Sequence, residues 1–166
     1  MENIASEALK LLEELKQIHS TTRIVSEYGN LASKGSVGGP YDWQAEWHNM
    51  GDKNPERAII AGNRTGKTRT AAAEVAIHLT GLYPDWWTGR RFDEPTSWIV
   101  AGPTNELTRD VCQFALVGGM MEGTKTPDGT GWIPKDKIGD VNFRQCGVQN
   151  VIDTVKVRHK SGGWSD

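Results

Sequence analysis

The stretch IIAGNRTGKT, residues 59–68, decides the fold. Its two glycines, Gly62 and Gly66, give the backbone freedom to turn and leave its N–H groups open to a ligand. In such a loop Lys67 would hold the β- and γ-phosphates of ATP, and the Thr68 hydroxyl would bind Mg²⁺. The stretch therefore predicts a phosphate-binding loop, lined by Gly62, Asn63, Arg64, Thr65, Gly66, Lys67 and Thr68.

Strand and helix patterns on both sides of the loop agree with this interpretation. Residues 57–61 are an apolar run suited to a buried strand, and residues 67–80 have the spacing of a helix that stops at Gly81. Residues 97–102 predict a second buried strand, followed by a second helix that Thr104 would cap. This alternation indicates an α/β fold, a P-loop NTPase-type parallel sheet flanked by helices. The second helix would end at Gly118 and bury Leu107, Val111 and Phe114.

Two positions of the loop need separate argument. Ala61 stands where such loops usually begin with glycine, and alanine fits there without strain if its φ is negative. Arg64 could reach the γ-phosphate and stabilise charge as the bond breaks, which would make it catalytic together with Lys67. A solvent-facing arginine paired with a nearby acid is an equally good interpretation of Arg64.

Gln44 is the candidate for recognition of the base. It lies in YDWQAEWHN, residues 41–49, ahead of the first predicted strand. A side-chain amide donates and accepts at once, which suits the N6 and N7 edge of adenine, with Trp43 or Tyr41 packed nearby. The tryptophans by themselves favour a simpler interpretation, an amphipathic helix that buries Trp43 and Trp47.

The chain divides into two unequal parts. Residues 1–40 predict an amphipathic helix over 4–18 and a flexible, Gly- and Ser-rich connector over 28–40. Residues 41–166 would form the nucleotide-binding part.

Near the C-terminus the pattern becomes that of a hairpin. Valines alternate with mostly more polar residues over 151–158, which predicts a strand with one solvent-facing side, and residues 161–163 predict a turn. The sequence stops at Asp166, before a returning strand is expected to form, which favours a fragment of a longer protein.

Composition limits the class of protein. The 166 residues carry a net charge of −2, so contact with nucleic acid would need local basic patches. The two cysteines make no disulfide framework, and no segment has the layout of a signal peptide or the length of a membrane span. A soluble intracellular protein is expected. The histidines and cysteines show no metal-ligand spacing.

Three segments carry a resemblance to a known family. AGNRTGKT, then HLTGLYPDWWTGRRF (residues 78–92), then WIVAGPTNELTRDV (residues 98–111), resemble the N-terminal ATPase region of the large terminase subunits of tailed bacteriophages. The similarity runs from about Tyr41 to the C-terminus and is densest between residues 59 and 111. The final residues, HKSGGWSD, resemble the turn before the acidic strand of those proteins.

The resemblance implies a DNA-packaging motor. It implies an ATPase domain followed by a metal-dependent nuclease domain, assembled as a homo-oligomeric ring on double-stranded DNA. Partners would be the terminase small subunit and the portal protein, and the place of action would be the host cytoplasm, at the portal of the procapsid, without a membrane. On matching positions, Lys67 and Thr68 take the phosphate and magnesium roles, Gln44 resembles an adenine-sensing glutamine, and Arg64 resembles a loop arginine.

The chain also departs from the family pattern. No apolar run that ends in Asp-Glu follows the loop, so the acids that hold Mg²⁺ and activate water are expected to lie outside this chain, as does the nuclease domain. This fragment alone would bind ATP and hydrolyse it poorly. Two alternatives stay open: a helicase-like P-loop ATPase, which the YPDWW segment disfavours, and a truncated remnant that binds nucleotide without turnover.

Two smaller constellations have both a functional and a plain interpretation. Trp86 and Trp87 favour anchoring of the loop after residue 80 over stacking on a base. Arg90 and Arg91 could reach the ATP of a neighbouring subunit or a DNA phosphate, but surface pairing with the acids at 93 and 94 is favoured.

Overall fold

The computed structural model describes residues 39–166 together with three helical residues, Glu7, Ile24 and Tyr28. The helix predicted over 4–18 and the connector predicted over 28–40 therefore lie largely outside the described residues. The division of the chain at residue 40 stays a prediction.

Left-handed glycines bound the principal helix. Helix α1 spans Asp42–Asn49 and leads into a 3₁₀ turn, Met50–Asp52. Helix α2 spans Lys67–Thr80; Gly66 precedes it with φ +91° and Gly81 ends it with φ +71°. Only glycine adopts such angles without strain, so both ends of α2 follow from the sequence, as predicted.

Three helical segments follow one another without a break. They are α3, Asn105–Leu107, a π-helical stretch, Thr108–Gln113, and α4, Phe114–Val117. The Thr104 hydroxyl accepts a hydrogen bond from the Leu107 N–H at 3.2 Å, which confirms the predicted cap. None of the helices in the described part is long and apolar enough to cross a membrane.

The buried side of this helical run differs from the prediction. Leu107, Val111 and Phe114 are exposed, whereas Leu116 and Val117 pack in the core. A π-helical turn takes about one residue more than an α-helical turn, so the stretch Thr108–Gln113 rotates Phe114, which follows it, away from the 3.6-residue period. The core lies between α2, α4 and the sheet, with the aromatic side chains of Tyr28, Trp87 and Trp132 packed into it. Its other members include Ala73, Ala76, Ile77, Ile133 and Val157.

A small antiparallel sheet closes the chain. Its strands are β1, Ile138–Phe143, β2, Ile152–Arg158, and β3, Trp164–Ser165, in the order β1-β2-β3. The predicted strand over 151–158 and the turn over 161–163 are confirmed. Strand β1 was missed. The expectation that the chain stops before a returning strand was wrong, because Ser165 pairs with Val157.

The predicted parallel sheet is absent among the described residues. Residues 57–61 and 97–102 lie where strands were expected, but neither pairs with another strand in the part that the structure describes. Ile60 is 97% exposed and Ile99 is 96% exposed. A strand requires a neighbour that supplies donors and acceptors along its length. Residues 97–102 have one only at their start, where the Trp98 N–H donates to the Asp166 oxygen at 2.7 Å and the Asp166 N–H donates to the Thr96 oxygen at 3.1 Å. Residues 57–61 make no such backbone contact with another described segment. The observed architecture is helices plus a three-stranded antiparallel sheet.

Candidate functional site

The predicted phosphate loop is a turn folded around its own lysine. Residues 61–66 join the first apolar segment to α2 and lie outside any regular helix or strand. The Lys67 ammonium donates to the carbonyl oxygens of Ala61 at 2.8 Å and Gly62 at 2.5 Å. The Thr65 hydroxyl also donates to the Gly62 oxygen, at 2.9 Å. The lysine head therefore lies over the loop, at the N-terminus of a 14-residue helix, where an anion is favoured.

The conformational demands of the loop fall on two of its residues. Gly66 has φ +91°, and a Cβ there would lie 2.9 Å from Gln44 Nε2, so no other residue fits. Arg64 has φ +61°, a left-handed angle that is uncommon for arginine. Gly62 has no such need, because a Cβ there would meet only Thr65 Cγ2, at 3.9 Å. Ala61 does not have a positive φ, which is the condition under which alanine fits at that position without strain.

The side chains expected at a triphosphate and its metal are accessible. Asn63, Arg64 and Thr68 are exposed, with Thr68 on the first turn of α2 beside the lysine. This donor set of loop backbone, ammonium and hydroxyl fits MgATP in its chemistry. Among the described residues, no group of three or more His, Cys, Asp or Glu side chains could hold a metal ion. The roles assigned to these residues stay predictions.

Gln44 lies next to the loop, but its side chain is turned into the protein. It is 2% exposed. Its Nε2 donates to Thr70 Oγ1 at 2.6 Å and to the Gly66 oxygen at 3.5 Å, and its Oε1 accepts from the Tyr41 N–H at 2.8 Å. The structure therefore places Gln44 against Gly66 of the loop. Its role at adenine stays a prediction.

A buried ionic cluster escaped the sequence analysis. Glu74, on α2, is 5% exposed and contacts side chains from two other segments and from its own helix. Arg57 makes a bidentate contact with its carboxylate, His48 Nδ1 lies 2.7 Å from Oε2, and His78 Nε2 lies 3.5 Å from Oε1. We call these four residues, Glu74, Arg57, His48 and His78, the Glu74 cluster.

The electrostatics of the Glu74 cluster fix its protonation. Burial would raise the pKa of Glu74, but hydrogen bonds from its three neighbours outweigh burial and lower the pKa from 4.5 to about 2. Burial, opposed by the carboxylate, lowers the pKa of His48. The neutral imidazole then donates through Nδ1 to Glu74 and accepts through Nε2 from the Tyr28 hydroxyl at 3.4 Å. Burial raises the pKa of Tyr28 to about 12, so that hydroxyl keeps its proton.

Arg57 joins this cluster to the end of α1. Its guanidinium donates to the Trp47 carbonyl oxygen at 2.6 Å and lies over the Trp47 ring at 4.3 Å. A Cβ at Gly51 would lie 2.9 Å from the same guanidinium. One cation therefore ties α1, the segment before the loop and α2 together.

The tryptophan pair anchors the loop that leaves α2, as predicted. Trp87 is buried and donates through Nε1 to the Arg90 carbonyl oxygen at 3.0 Å, and the Trp86 indole donates to the backbone carbonyl oxygen of Tyr28. The predicted pairing of the two arginines with acids was wrong. Arg90 lies over the Phe92 ring, and Arg91 lies over a tyrosine ring and donates to the Trp87 oxygen at 2.8 Å.

Comparison with known proteins finds one relevant relative. The chain is 34% identical to the terminase large subunit of Salmonella phage P22 over 166 aligned positions, which cover 92% of this chain and 30% of that protein. No protein-family model matches the chain, and no solved structure matches it. The chain therefore spans less than a third of the curated relative. The resemblance noted in the sequence is confirmed by this match.

Proposed function

We propose that this chain, as a relative of the terminase large subunits, is the ATP-binding part of a motor that packages double-stranded phage DNA. The observation that carries the proposal is the loop at residues 61–68. There an ammonium, an exposed hydroxyl and the start of a long helix come together in a relative of a packaging protein. ATP hydrolysis would power the translocation of DNA into the capsid.

Each loop residue has a defined task in this proposal. The backbone of residues 62–66 would surround the phosphates, and the Lys67 ammonium would exchange its two carbonyl partners for the β- and γ-phosphate oxygens. Thr68 would hold Mg²⁺, which neutralises charge on the phosphates when bound. Arg64, exposed at the loop tip, would stabilise charge that develops on the γ-phosphate.

The parallel sheet of a P-loop domain belongs to the same proposal. In residues 57–61 and 97–102, the side chains of Ile60 and Ile99 are almost wholly exposed, and apolar surface of this kind usually has a partner. A cavity of about 500 Å³ lies between these segments, α2 and the helical run, and is lined by Ile59, Ala71, Val75, Val100, Val111 and Leu116. We propose that additional strands complete a parallel sheet on these two segments.

The other activities and partners of a packaging motor are part of the proposal as well. They comprise a nuclease domain outside this chain, a ring of identical subunits, the small subunit, and the portal protein. The place of action would be the portal of the procapsid, in the host cytoplasm.

The loop is tested by ATP binding with and without its lysine. We expect the chain to bind MgATP and Lys67→Ala to weaken binding about a hundredfold, the cost of a lost charge-assisted contact. Lys53→Ala, at an exposed position away from the loop, is the matched control. Calorimetry measures all three proteins. Equal affinity of the unmodified chain and Lys67→Ala would refute the proposal.

A further inference from the structure

Every polar atom of the Gln44 side chain is bonded to the protein. The amide nitrogen donates to Thr70 Oγ1 and to the Gly66 oxygen, and the amide oxygen accepts from the Tyr41 N–H. With 2% of its surface exposed, the side chain presents no free edge to a ligand. Reading a base would require Gln44 to break its buried hydrogen bond to Thr70 or its part-buried bonds to Tyr41 and Gly66, which are costly to leave unmade.

These bonds converge on the glycine that turns the loop into α2. The Gly66 oxygen accepts from the Thr70 hydroxyl at 3.0 Å and from the Thr70 N–H at 2.9 Å, in addition to Gln44. Gly66 holds φ +91° directly before Lys67. Gln44 thus links the start of α1 to Gly66, the residue that directly precedes Lys67.

We infer that Gln44 is a positioning residue, which with Thr70 fixes the turn at Gly66 so that Lys67 meets the phosphates, and that it does not read the base. We call the three residues Gln44, Thr70 and Gly66 the Gln44 latch. The inference rests on the proposed function, since it concerns the same triphosphate site. The latch acts on any ligand that carries the phosphate chain, whatever base is attached.

The test compares three ligands that share a triphosphate: MgATP, MgGTP and magnesium tripolyphosphate. Gln44→Met keeps the length of the side chain and removes its hydrogen bonds. We expect it to weaken binding of all three ligands by a similar factor, about tenfold. The ratio of the affinities for ATP and GTP should stay within about twofold of that of the unmodified chain, because the base makes no contact with Gln44.

Thr70 supplies a second variant on the other side of the contact. Thr70→Val removes the hydroxyl and should reproduce the uniform loss, and Thr70→Ser, which restores the hydroxyl, should recover most of it. Ile133→Val, in the core, controls for general destabilisation and should leave all three affinities unchanged. Hydrogen exchange over residues 61–68 should become faster in Gln44→Met and Thr70→Val only.

The outcomes separate the two claims. Loss of ATP binding alone in Gln44→Met, with GTP and tripolyphosphate unaffected, would overturn the inference and assign Gln44 to the base. Unchanged affinity for all three ligands would overturn it too. Failure of the unmodified chain to bind any of the three would refute the proposed function itself, and the inference with it.

Discussion

Two regions of the same helix are built in opposite ways. Midway along α2, Glu74 contacts residues 17 and 26 positions away, Arg57 through a part-buried contact and His48 through a buried one. At the start of α2, Lys67 bonds only to carbonyls five and six residues before it, in an exposed loop. The first set of contacts holds separate segments together. The second can change partners without disturbing the fold.

This difference teaches that stability and ligand binding are separable along α2. Removing one member of the Glu74 cluster leaves a charged partner unpaired inside the protein, which lowers the free energy of unfolding. Removing a loop side chain affects only a local turn. Stability should therefore respond to changes in the Glu74 cluster, and ligand affinity to changes in the loop.

The largest effect is expected at Glu74 itself. Glu74→Ala leaves the buried His48 and the largely buried Arg57 without their carboxylate, and we expect a loss of about 3–5 kcal/mol in the free energy of unfolding. Urea denaturation measures it. Glu122→Ala, at an exposed acid, is the control and should change stability little. A loss below about 1 kcal/mol for Glu74→Ala would erase the contrast between the two regions.

Acid should reproduce much of that loss. The pKa of Glu74 is about 2 in the folded chain and 4.5 ordinarily, so the unfolded chain takes up the proton first as pH falls. The stabilisation is therefore complete above pH 4.5 and is lost between pH 4.5 and 2, by about 3 kcal/mol in all. The lowered pKa of His48 acts in the same direction and begins below its usual 6.5.

Comparison with a variant isolates the contribution of Glu74 to this acid sensitivity. Exposed carboxyls such as Asp110 and Asp166 also have lowered pKa values, so the unmodified profile contains their effects. Glu74→Gln should show a flatter dependence than the unmodified chain below pH 4.5. Parallel profiles from pH 7 to 3 would show that Glu74 is not held ionised by its neighbours.

An intermediate effect is expected at Thr68, and on binding alone. Mg²⁺ should raise the ATP affinity of the unmodified chain, and the ratio of the affinities with and without Mg²⁺ should be about tenfold smaller in Thr68→Val, because the metal loses an oxygen ligand. Unfolding should be unaffected, since the side chain is exposed. Thr88→Val, at another exposed threonine, is the control. A gain from Mg²⁺ as large as in the unmodified chain would remove Thr68 from the metal site.

The smallest effect concerns strain in the loop. At φ +61°, Arg64→Ala keeps a Cβ in the left-handed region, whereas Arg64→Gly does not. We expect the glycine variant to be more stable than the alanine variant by about 1 kcal/mol. Thermal unfolding of the pair measures it. The reverse order would mean that the backbone at Arg64 is not in the left-handed conformation.

Local features of the fold were predictable from the sequence, and those that depend on distant partners were not. Both ends of α2 follow from Gly66 and Gly81, and the cap of α3 follows from Thr104, because each rule involves only a few neighbouring residues. The π-helical stretch could not be anticipated, since a hydrophobic pattern with a 3.6-residue period assumes an unbroken α-helix.

The same division between local and distant signals holds for the residues of the candidate site, whose functional roles stay predictions. The loop residues and Gln44 were found by motif, and the structure brings Gln44 against Gly66. The Glu74 cluster was missed, because Arg57 and His48 reach Glu74 from other segments. One local signal was available: Thr70, Glu74 and His78 recur every four residues and form a polar stripe on one face of α2, all three buried.

The exposed aliphatic side chains in the segments 57–61 and 97–102 affect how the isolated chain behaves in solution. Around the exposed side chains of Ile60 and Ile99 the main chain has no paired strand among the described residues, so a second molecule can add a strand there. We therefore expect concentrated samples of the isolated chain to aggregate. Replacing either isoleucine with lysine should keep the material dispersed.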